Sequence, residues 1–212
     1  MTDWDVYLVT GQRLSDGRTT PEVVRAAVDG GVDVVQLREK SLPARERYEM
    51  GRDVREITRE AGVPLIVNDR VDLAMAIAAD GVHLGDDDLP VEAARDLLGE
   101  DAIIGRSVSF VDDARAAEAA GADYLGVGAV YSTGSKDDID DDEYEIGPER
   151  VGEIADAVDI PLVGIGGITA DNAGPVIAAG ADGVAVITAI TRADDPAAAT
   201  RDLREAIAAA RE

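Results

Sequence analysis

The chain has 212 residues, of which 46% are hydrophobic and only 3% aromatic, so its core must be built mainly from Val, Ile, Leu and Ala. It has no cysteine, which excludes disulfide bonds and thiolate metal sites. Its formal net charge of -24 makes nucleic acid an unfavourable partner, because such a surface repels phosphate backbones.

The amino-terminal residues Thr2, Asp3 and Asp5 are polar and do not resemble a signal peptide. No apolar run approaches the roughly 18 residues of a membrane span. We therefore expect a cytoplasmic protein without membrane partners, with residues 1–212 forming one domain; homo-oligomerisation stays open. The 44 acidic residues, against 20 basic ones, predict a salt-loving host, because salt screens the self-repulsion of such a surface.

Eight short apolar runs recur along the chain, and a longer stretch rich in Ala and charged residues follows each of them. The runs occupy residues 6–10, 32–37, 65–67, 82–84, 103–104, 124–127, 162–165 and 184–187. They are apolar throughout rather than alternating, which is typical of parallel strands covered on both faces. Eight such units in about 210 residues predict a single α/β domain folded as a (βα)8 TIM barrel.

The alternative is an open, doubly wound sheet. A dinucleotide-binding sheet would show G-x-G-x-x-G after its first strand, and residues 11–14 do not continue in that way. The stretches 111–120 and 172–179 have the spacing of amphipathic helices. Glycines between helix and strand are predicted to end helices, because glycine readily takes the left-handed conformation; they are Gly31, Gly62, Gly81, Gly121 and Gly180.

Cationic side chains follow the second run, at the strand end where a TIM barrel places its active site. Strand alternation puts Gln36, Arg38 and Lys40 on one side, where they can bind an anion such as a diphosphate. A basic strand end paired with nearby acids is the alternative. The only two lysines of the chain are Lys40 and Lys136, and both follow a predicted strand, which indicates a specific use for an ammonium charge.

Carboxylates follow the third and fourth runs, at Asp69 and in the segment 86–88. Adjacent parallel strands lie about 5 Å apart, so these carboxylates can meet at one Mg²⁺ ion that also binds substrate phosphate oxygens. Asp86 and Asp87 are more simply interpreted as residues that cap the next helix.

The later strand ends carry loops suited to phosphate. Residues 105–107 and 133–136 combine glycine, hydroxyl groups and a cation, and residues 164–168 and 187–190 lie where barrels bind phosphate through backbone N–H groups. Ordinary turn glycines are the alternative. The acidic segment 137–145 is either a flap over the site or a solvated charge run. His83, the only histidine, lies within the fourth run and is predicted to be structural.

A Mg²⁺ site, a diphosphate-sized cationic cluster and a separate phosphate loop on one face suggest a transferase. Together the motifs resemble the thiamine-phosphate synthase family over nearly the whole chain. The matching segments are 36–40, 68–69, 82–85 with Asp88, 133–136 and 163–168. Asp86 departs from the Gln that the family commonly has at this position.

The resemblance implies that hydroxymethylpyrimidine diphosphate and thiazole phosphate condense to thiamine phosphate and diphosphate, by way of a pyrimidinyl-methyl cation. It assigns the pyrimidine diphosphate to Gln36, Leu37, Arg38, Glu39, Lys40, Asn68, Ser107 and Lys136. It assigns the thiazole phosphate to Thr133, Gly134, Ser135, Gly167, Ile187 and Thr188. Asp69 and Asp88 would bind Mg²⁺, and Arg38, Lys40 and Lys136 would stabilise the departing diphosphate as catalytic residues.

Three alternatives stand beside this interpretation. A thiazole tautomerase-like relative would share the fold, but that enzyme uses a histidine after the sixth strand, where residues 128–131 offer none. A non-catalytic phosphate-binding barrel would have no use for a pair of metal-binding aspartates. A sugar-phosphate epimerase would need an acid/base pair across the barrel, and no clear pair is present.

Overall fold

The structure is a computed structural model that describes residues 4–133 and 145–212. Its eight strands all pair in parallel and close into a barrel in the order β1 to β8. The strands are β1 (Val6–Val9), β2 (Val34–Leu37), β3 (Leu65–Asn68), β4 (Gly81–Leu84), β5 (Ile103–Val108), β6 (Tyr124–Val127), β7 (Leu162–Ile165) and β8 (Gly183–Val186). The predicted (βα)8 TIM barrel is confirmed, and the open sheet is excluded.

Helices connect successive strands and cover the outside of the barrel. They are α1 (Thr20–Asp29), α2 (Ala44–Ala61), α3 (Val71–Ile77), α4 (Val91–Leu98), α5 (Val111–Ala119), α6 (Gly147–Ala155), α7 (Ala173–Ala178), α8 (Thr188–Thr191) and α9 (Pro196–Ala210), with one 3-10 turn at Gln12–Leu14. Within the described ranges, no helix is both long enough and apolar enough to cross a membrane.

Strand β5 is longer than its apolar run predicts. It spans Ile103–Val108, so Gly105 and Ser107 lie inside the strand rather than after it. The strand continues because β4 and β6 offer backbone partners on both sides, pairing His83 with Gly105 and Gly126 with Ser107. A search for apolar runs misses this extension because Gly, Arg and Ser interrupt the hydrophobic pattern.

The glycines before the strands behave as predicted at four of five positions. Gly31, Gly62, Gly121 and Gly180 have φ of 88°, 70°, 87° and 110°, the left-handed conformation that ends a helix. Gly81 was predicted wrongly. Helix α3 ends instead at Ala78, with φ of 50°, and Gly81 lies in β4, where a Cβ would come 1.8 Å from the carbonyl oxygen of Ile103.

Two hydrophobic layers hold the barrel together. The outer layer, between strands and helices, consists almost entirely of Val, Ile, Leu and Ala, as the composition requires. The inner layer fills the barrel and contains the larger aromatic side chains Trp4, Tyr7 and Tyr124. The Trp4 ring meets the Tyr124 ring edge-on at 5.1 Å between centroids, which closes the barrel interior below the strand ends.

Four aspartates repeat one contact around the amino-terminal end of the barrel. Asp33, Asp80, Asp123 and Asp182 precede the even-numbered strands, and each accepts the backbone N–H at or near the start of the preceding odd-numbered strand at 2.7–2.9 Å. We call these contacts the aspartate clasps. An arginine from a neighbouring helix pairs with three of them, through Arg204–Asp33, Arg55–Asp80 and Arg95–Asp123.

Candidate active site

Two adjoining cavities open at the carboxyl ends of the strands. The larger one, about 330 Å³, lies among the ends of β6, β7 and β8. A deeper one, about 50 Å³, lies inside the barrel and is lined by residues of all eight strands. Ile165, Ala185 and Ile187 line both cavities, so ligands in the two would meet across these apolar side chains.

Some side chains at the end of β2 face the candidate site, and others pack into the body of the barrel. Gln36 and Arg38 line the deeper cavity, as the predicted alternation requires. Leu37 instead packs outward into the outer core, so it has only backbone atoms to offer a ligand. Glu39 is buried and accepts from the Gln12 N–H at 3.1 Å and the Thr20 hydroxyl at 2.6 Å. Its carboxylate therefore anchors the β1 loop.

A pair of carboxylates lies beside this cationic strand end. Asp69 lies 3.5 Å from the ammonium of Lys40 and close enough to Asp88 for the two carboxylates to interact. Burial, and next the Asp88 charge, raise the pKa of Asp69 above its ordinary value. Two acids in this position need a proton or a cation between them, and hard oxygen donors suit Mg²⁺.

The donor set fits a metal that is completed by its substrate. Among the residues that the structure describes, no group of three or more His, Asp or Glu side chains could hold a metal ion alone. Two carboxylates are nonetheless the usual protein contribution to Mg²⁺, because phosphate oxygens and water fill the other positions. Asp88 is already oriented, since its Oδ2 accepts the Gly85 N–H at 2.6 Å.

The interpretation of Asp86 and Asp87 as helix caps was wrong. Helix α4 begins after Pro90 and has no side-chain cap. Asp86 is 93% exposed and pairs with Arg106 at 2.6 Å, and the charges that act on Asp69 come from Asp88 and Lys40. The departure at Asp86 from the family pattern therefore lies outside the carboxylate pair.

Five polar side chains cross the barrel interior in one continuous hydrogen-bond chain. Gln36 Nε2 donates to the Tyr7 hydroxyl at 2.8 Å, which lies 2.8 Å from the Tyr124 hydroxyl. His83 Nδ1 lies 2.9 Å from the Tyr124 hydroxyl, and His83 Nε2 lies 2.8 Å from Ser107 Oγ. All five residues line the deeper cavity.

Glycine and backbone atoms shape the larger cavity. Its lining includes Thr133, Gly167, Ile187 and Thr188, four of the residues assigned to the thiazole phosphate. Gly167 has φ of 63°, and a Cβ there would come 2.6 Å from the carbonyl oxygen of Ser132. Only glycine lets the β7 loop approach the β6 loop so closely.

The remaining assigned residues divide into two groups. Asn68 lines the deeper cavity beside Gln36 and Arg38. Gly134, Ser135 and Lys136 lie outside the described residues, as does all of the acidic segment 137–145 except Glu145.

The sequence interpretation missed several residues of the site. Tyr7 and Tyr124 were read only as parts of apolar runs, although the chain has just five tyrosines and two of them face the barrel interior. Arg192 lines the larger cavity just beyond α8. It was missed because it lies after a four-residue helix that no apolar periodicity marks.

Comparison with known proteins places these features in one family. The family described as "Thiamine monophosphate synthase" matches residues 6–190. Thiamine-phosphate synthase of Haloarcula marismortui is 70% identical over 98% of both chains, and that of Natronomonas pharaonis is 65% identical over 97% of this chain and 95% of the other. The solved thiamine phosphate pyrophosphorylase of Pyrococcus furiosus is 42% identical, with a TM-score of 0.89 over 99% of this chain and 98% of that one.

Proposed function

The chain belongs to the thiamine monophosphate synthase family and is a thiamine-phosphate synthase, and we propose that its two adjoining cavities hold the two substrates of that transferase. The observation that carries this proposal is the wall that the cavities share. Because Ile165, Ala185 and Ile187 line both, a pyrimidine in one can meet a thiazole in the other at this apolar boundary.

The deeper cavity and the polar strand ends above it suit hydroxymethylpyrimidine diphosphate, with the interior of about 50 Å³ taking only part of the pyrimidine and the diphosphate lying at the strand ends. Gln36, Asn68 and Ser107 supply amide and hydroxyl groups for the aminopyrimidine and its diphosphate, and Arg38 supplies a cation. Lys40 lies at the same rim, and we assign Lys136 to it by resemblance. The backbone around Leu37 and Glu39 completes this strand end, while their side chains belong to the scaffold.

The larger cavity suits the thiazole phosphate. Gly167, Ile187 and Thr188 bring backbone close to the ligand, and Thr133 lines the same cavity. We assign Gly134 and Ser135 to the same loop by resemblance. Arg192 adds a cation that a phosphate would meet at the mouth.

Asp69 and Asp88 would hold Mg²⁺, which neutralises diphosphate charge when it is bound. Support comes from the raised pKa of Asp69, because two adjacent half-buried carboxylates are more stable as anions when a cation lies beside them. Lys40, at 3.5 Å from Asp69, offsets part of that charge in the metal-free fold.

The reaction breaks one bond and forms another at the same carbon. The C–O bond of the pyrimidine substrate breaks, and diphosphate leaves with the electron pair. The pyrimidinyl-methyl cation is then attacked by the thiazole nitrogen, whose lone pair forms the C–N bond of thiamine phosphate. No side chain has to move a proton in this sequence, so the protein's work is positioning the reactants and stabilising the leaving charge.

A turnover assay tests the function. Purified protein, both substrates and Mg²⁺ are expected to give thiamine phosphate and diphosphate, and omitting either substrate or adding EDTA should abolish the product. Arg38→Gln should lower kcat/KM at least about tenfold, because it removes a cation at the diphosphate. The matched control is Arg201→Gln on the exposed face of α9. Turnover in EDTA, or an active Arg38→Gln enzyme, would contradict these assignments.

Three broader properties belong to the same proposal. We propose that residues 1–212 act as one catalytic domain, since both cavities are built from a single barrel. A cytoplasmic location suits a synthesis that uses phosphorylated small molecules. A salt-rich host is supported by the net charge of -24.

A further inference from the structure

The hydrogen-bond chain through the barrel has a direction that its own chemistry fixes. It joins Gln36 on β2, Tyr7 on β1, Tyr124 on β6, His83 on β4 and Ser107 on β5. Gln36 Nε2 is a donor, so the Tyr7 oxygen accepts there. The single Tyr7 proton must then go to its other partner, the Tyr124 oxygen.

The proton positions of Tyr124, His83 and Ser107 follow in the same way. The Tyr124 oxygen accepts from Tyr7, so its own proton goes to His83 Nδ1, which must be unprotonated. A neutral imidazole carries one proton, which is then on Nε2 and is donated to Ser107 Oγ. The Ser107 oxygen becomes an acceptor inside the barrel, and its proton is left to point toward the cavity that Ser107 lines.

Packing holds these rings in place. A Cβ at Gly105 would lie 2.1 Å from the Tyr124 ring, and a Cβ at Gly126 would lie 2.9 Å from His83 Cε1. Glycines in β5 and β6 thus make the room that the two rings occupy. Burial raises the pKa of Tyr7 and of Tyr124 above the ordinary value, so both hydroxyls keep their protons.

We propose that His83 is a positioning residue whose Nε2–H tautomer turns the Ser107 hydroxyl proton into the deeper cavity, where it donates to the diphosphate. This use of the proton rests on the proposed function; the direction of the chain does not. A hydroxyl that donated to His83 would present only lone pairs to the substrate anion. The histidine therefore determines whether Ser107 attracts or repels that anion.

The test of direction is the ¹⁵N spectrum of the imidazole at neutral pH. His83 is the only histidine in the chain, so the ring signals of the labelled full-length protein are unambiguous. We expect a proton on Nε2 and none on Nδ1. A proton on Nδ1 alone would mean that the Gln36 amide is flipped and that every hydrogen bond in the series is donated in the opposite direction. An imidazolium, with protons on both nitrogens, would leave the hydrogen bonds without a single direction. Either result overturns the proposal, whether or not the protein shows synthase activity.

Variants test the consequence for the substrate. His83→Gln keeps an amide donor that can reach Ser107, whereas His83→Leu keeps only the volume. We expect Leu to lower kcat/KM for the pyrimidine diphosphate about tenfold or more, the cost of a hydrogen bond to a charged group, and Gln to restore part of it. Adding Ser107→Ala to His83→Leu should cause little further loss, because both remove the same donated proton.

Two controls separate this role from simple support of the fold. Tyr124→Phe removes the donor to Nδ1 and should change the imidazole spectrum, while Tyr48→Phe on α2 should change neither spectrum nor kinetics. Equal losses in His83→Gln and His83→Leu, or additive losses with Ser107→Ala, would overturn the assigned role. If His83→Leu does not fold, Tyr124→Phe and the wild-type spectrum still decide the direction.

Discussion

Asp69 adopts a backbone conformation that most residues avoid. Its φ of 63° lies in the left-handed region, at the carboxyl end of β3. Asp and Asn occupy this region more readily than other non-glycine residues, and such strain often marks functional positions. The conformation directs the carboxylate toward Asp88 and Lys40, where it would repel a second acid unless a cation is bound.

Asp69→Asn is expected to stabilise the metal-free protein at neutral pH. The pKa of Asp69 is raised in the fold, so its contribution to stability is present below the ordinary carboxyl pKa and is lost as pH rises through the raised value. Asn removes that loss and tolerates the positive φ. Melting temperatures in EDTA should therefore be higher for the variant at pH 7 and similar near pH 3.

Mg²⁺ should reverse the order of the two melting temperatures, so that the wild type becomes more stable than Asp69→Asn. It should raise the melting temperature of the wild type and leave Asp69→Asn nearly unchanged, because binding to the folded state alone stabilises it. Asp87→Asn, one residue from Asp88 but exposed, serves as the control. A Mg²⁺ shift of equal size in wild type and Asp69→Asn would remove Asp69 from the metal site.

Sequence patterns placed charged side chains at the carboxyl ends of the strands and missed the polar groups inside the barrel. Gln36, Arg38 and Asp69 lie at or just beyond the ends of apolar runs, where barrel topology brings strand ends together, so position along the chain was enough to place them. The links among Tyr7, Tyr124 and His83 join residues up to 117 positions apart. They depend on which side of each strand faces inward, and an apolar run without alternation carries no such information.

Strand positions were predicted better than strand lengths. Runs of Val, Ile and Leu located all eight strands, and β7 matches its predicted bounds at Leu162–Ile165. In β5, Gly105 makes room for the Tyr124 ring and Ser107 bonds to His83, so the apolar run ends before the strand does. The neighbours that keep such a strand paired are tertiary features and cannot be read from the run itself.

Gly183→Ala tests how closely the last strand meets the first. A Cβ at Gly183 would lie 1.7 Å from the carbonyl oxygen of Trp4, in backbone that cannot easily move. We expect a loss of about 1–3 kcal/mol or more, as for other overpacked sites. Melting temperature should fall by about 2–4 °C for each kcal/mol lost in a chain of this size.

Gly17→Ala is the matched control for that substitution. Its added methyl group meets no atom within 4 Å, although its φ of 87° makes alanine strained there. Its loss therefore measures backbone strain without crowding. If Gly183→Ala unfolds no more easily than Gly17→Ala, crowding between β1 and β8 does not determine the loss of stability.

The acidic surface affects the molecule as a whole. With a net charge of -24, like charges repel across the compact fold and salt shortens the range of that repulsion. Arg–Asp pairs at the aspartate clasps offset the repulsion only locally, because each brings one cation to one carboxylate.

Raising KCl from 0.1 M to 2 M should raise the melting temperature by about 4 °C or more, which corresponds to roughly 1–2 kcal/mol at this chain length. Sucrose, which favours burial without screening charge, is the control for excluded-solute effects. Replacing the exposed helix acids Asp53 and Glu60 by their amides should reduce the KCl effect. A melting temperature that is unchanged or lower in 2 M KCl would count against charge repulsion as the cause.

The aspartate clasps give the barrel an approximate fourfold symmetry. Each quarter is a strand–helix–strand–helix unit fastened internally by one aspartate, and arginines from α2 and α4 link successive quarters. The fourth quarter is joined to the first by Arg204 of α9, which binds Asp33, and by Arg211, directly after α9, which binds Asp5. Within the described residues Asp182 has no such arginine side chain, so the arginine link is missing between the third and fourth quarters rather than at the chain's termini.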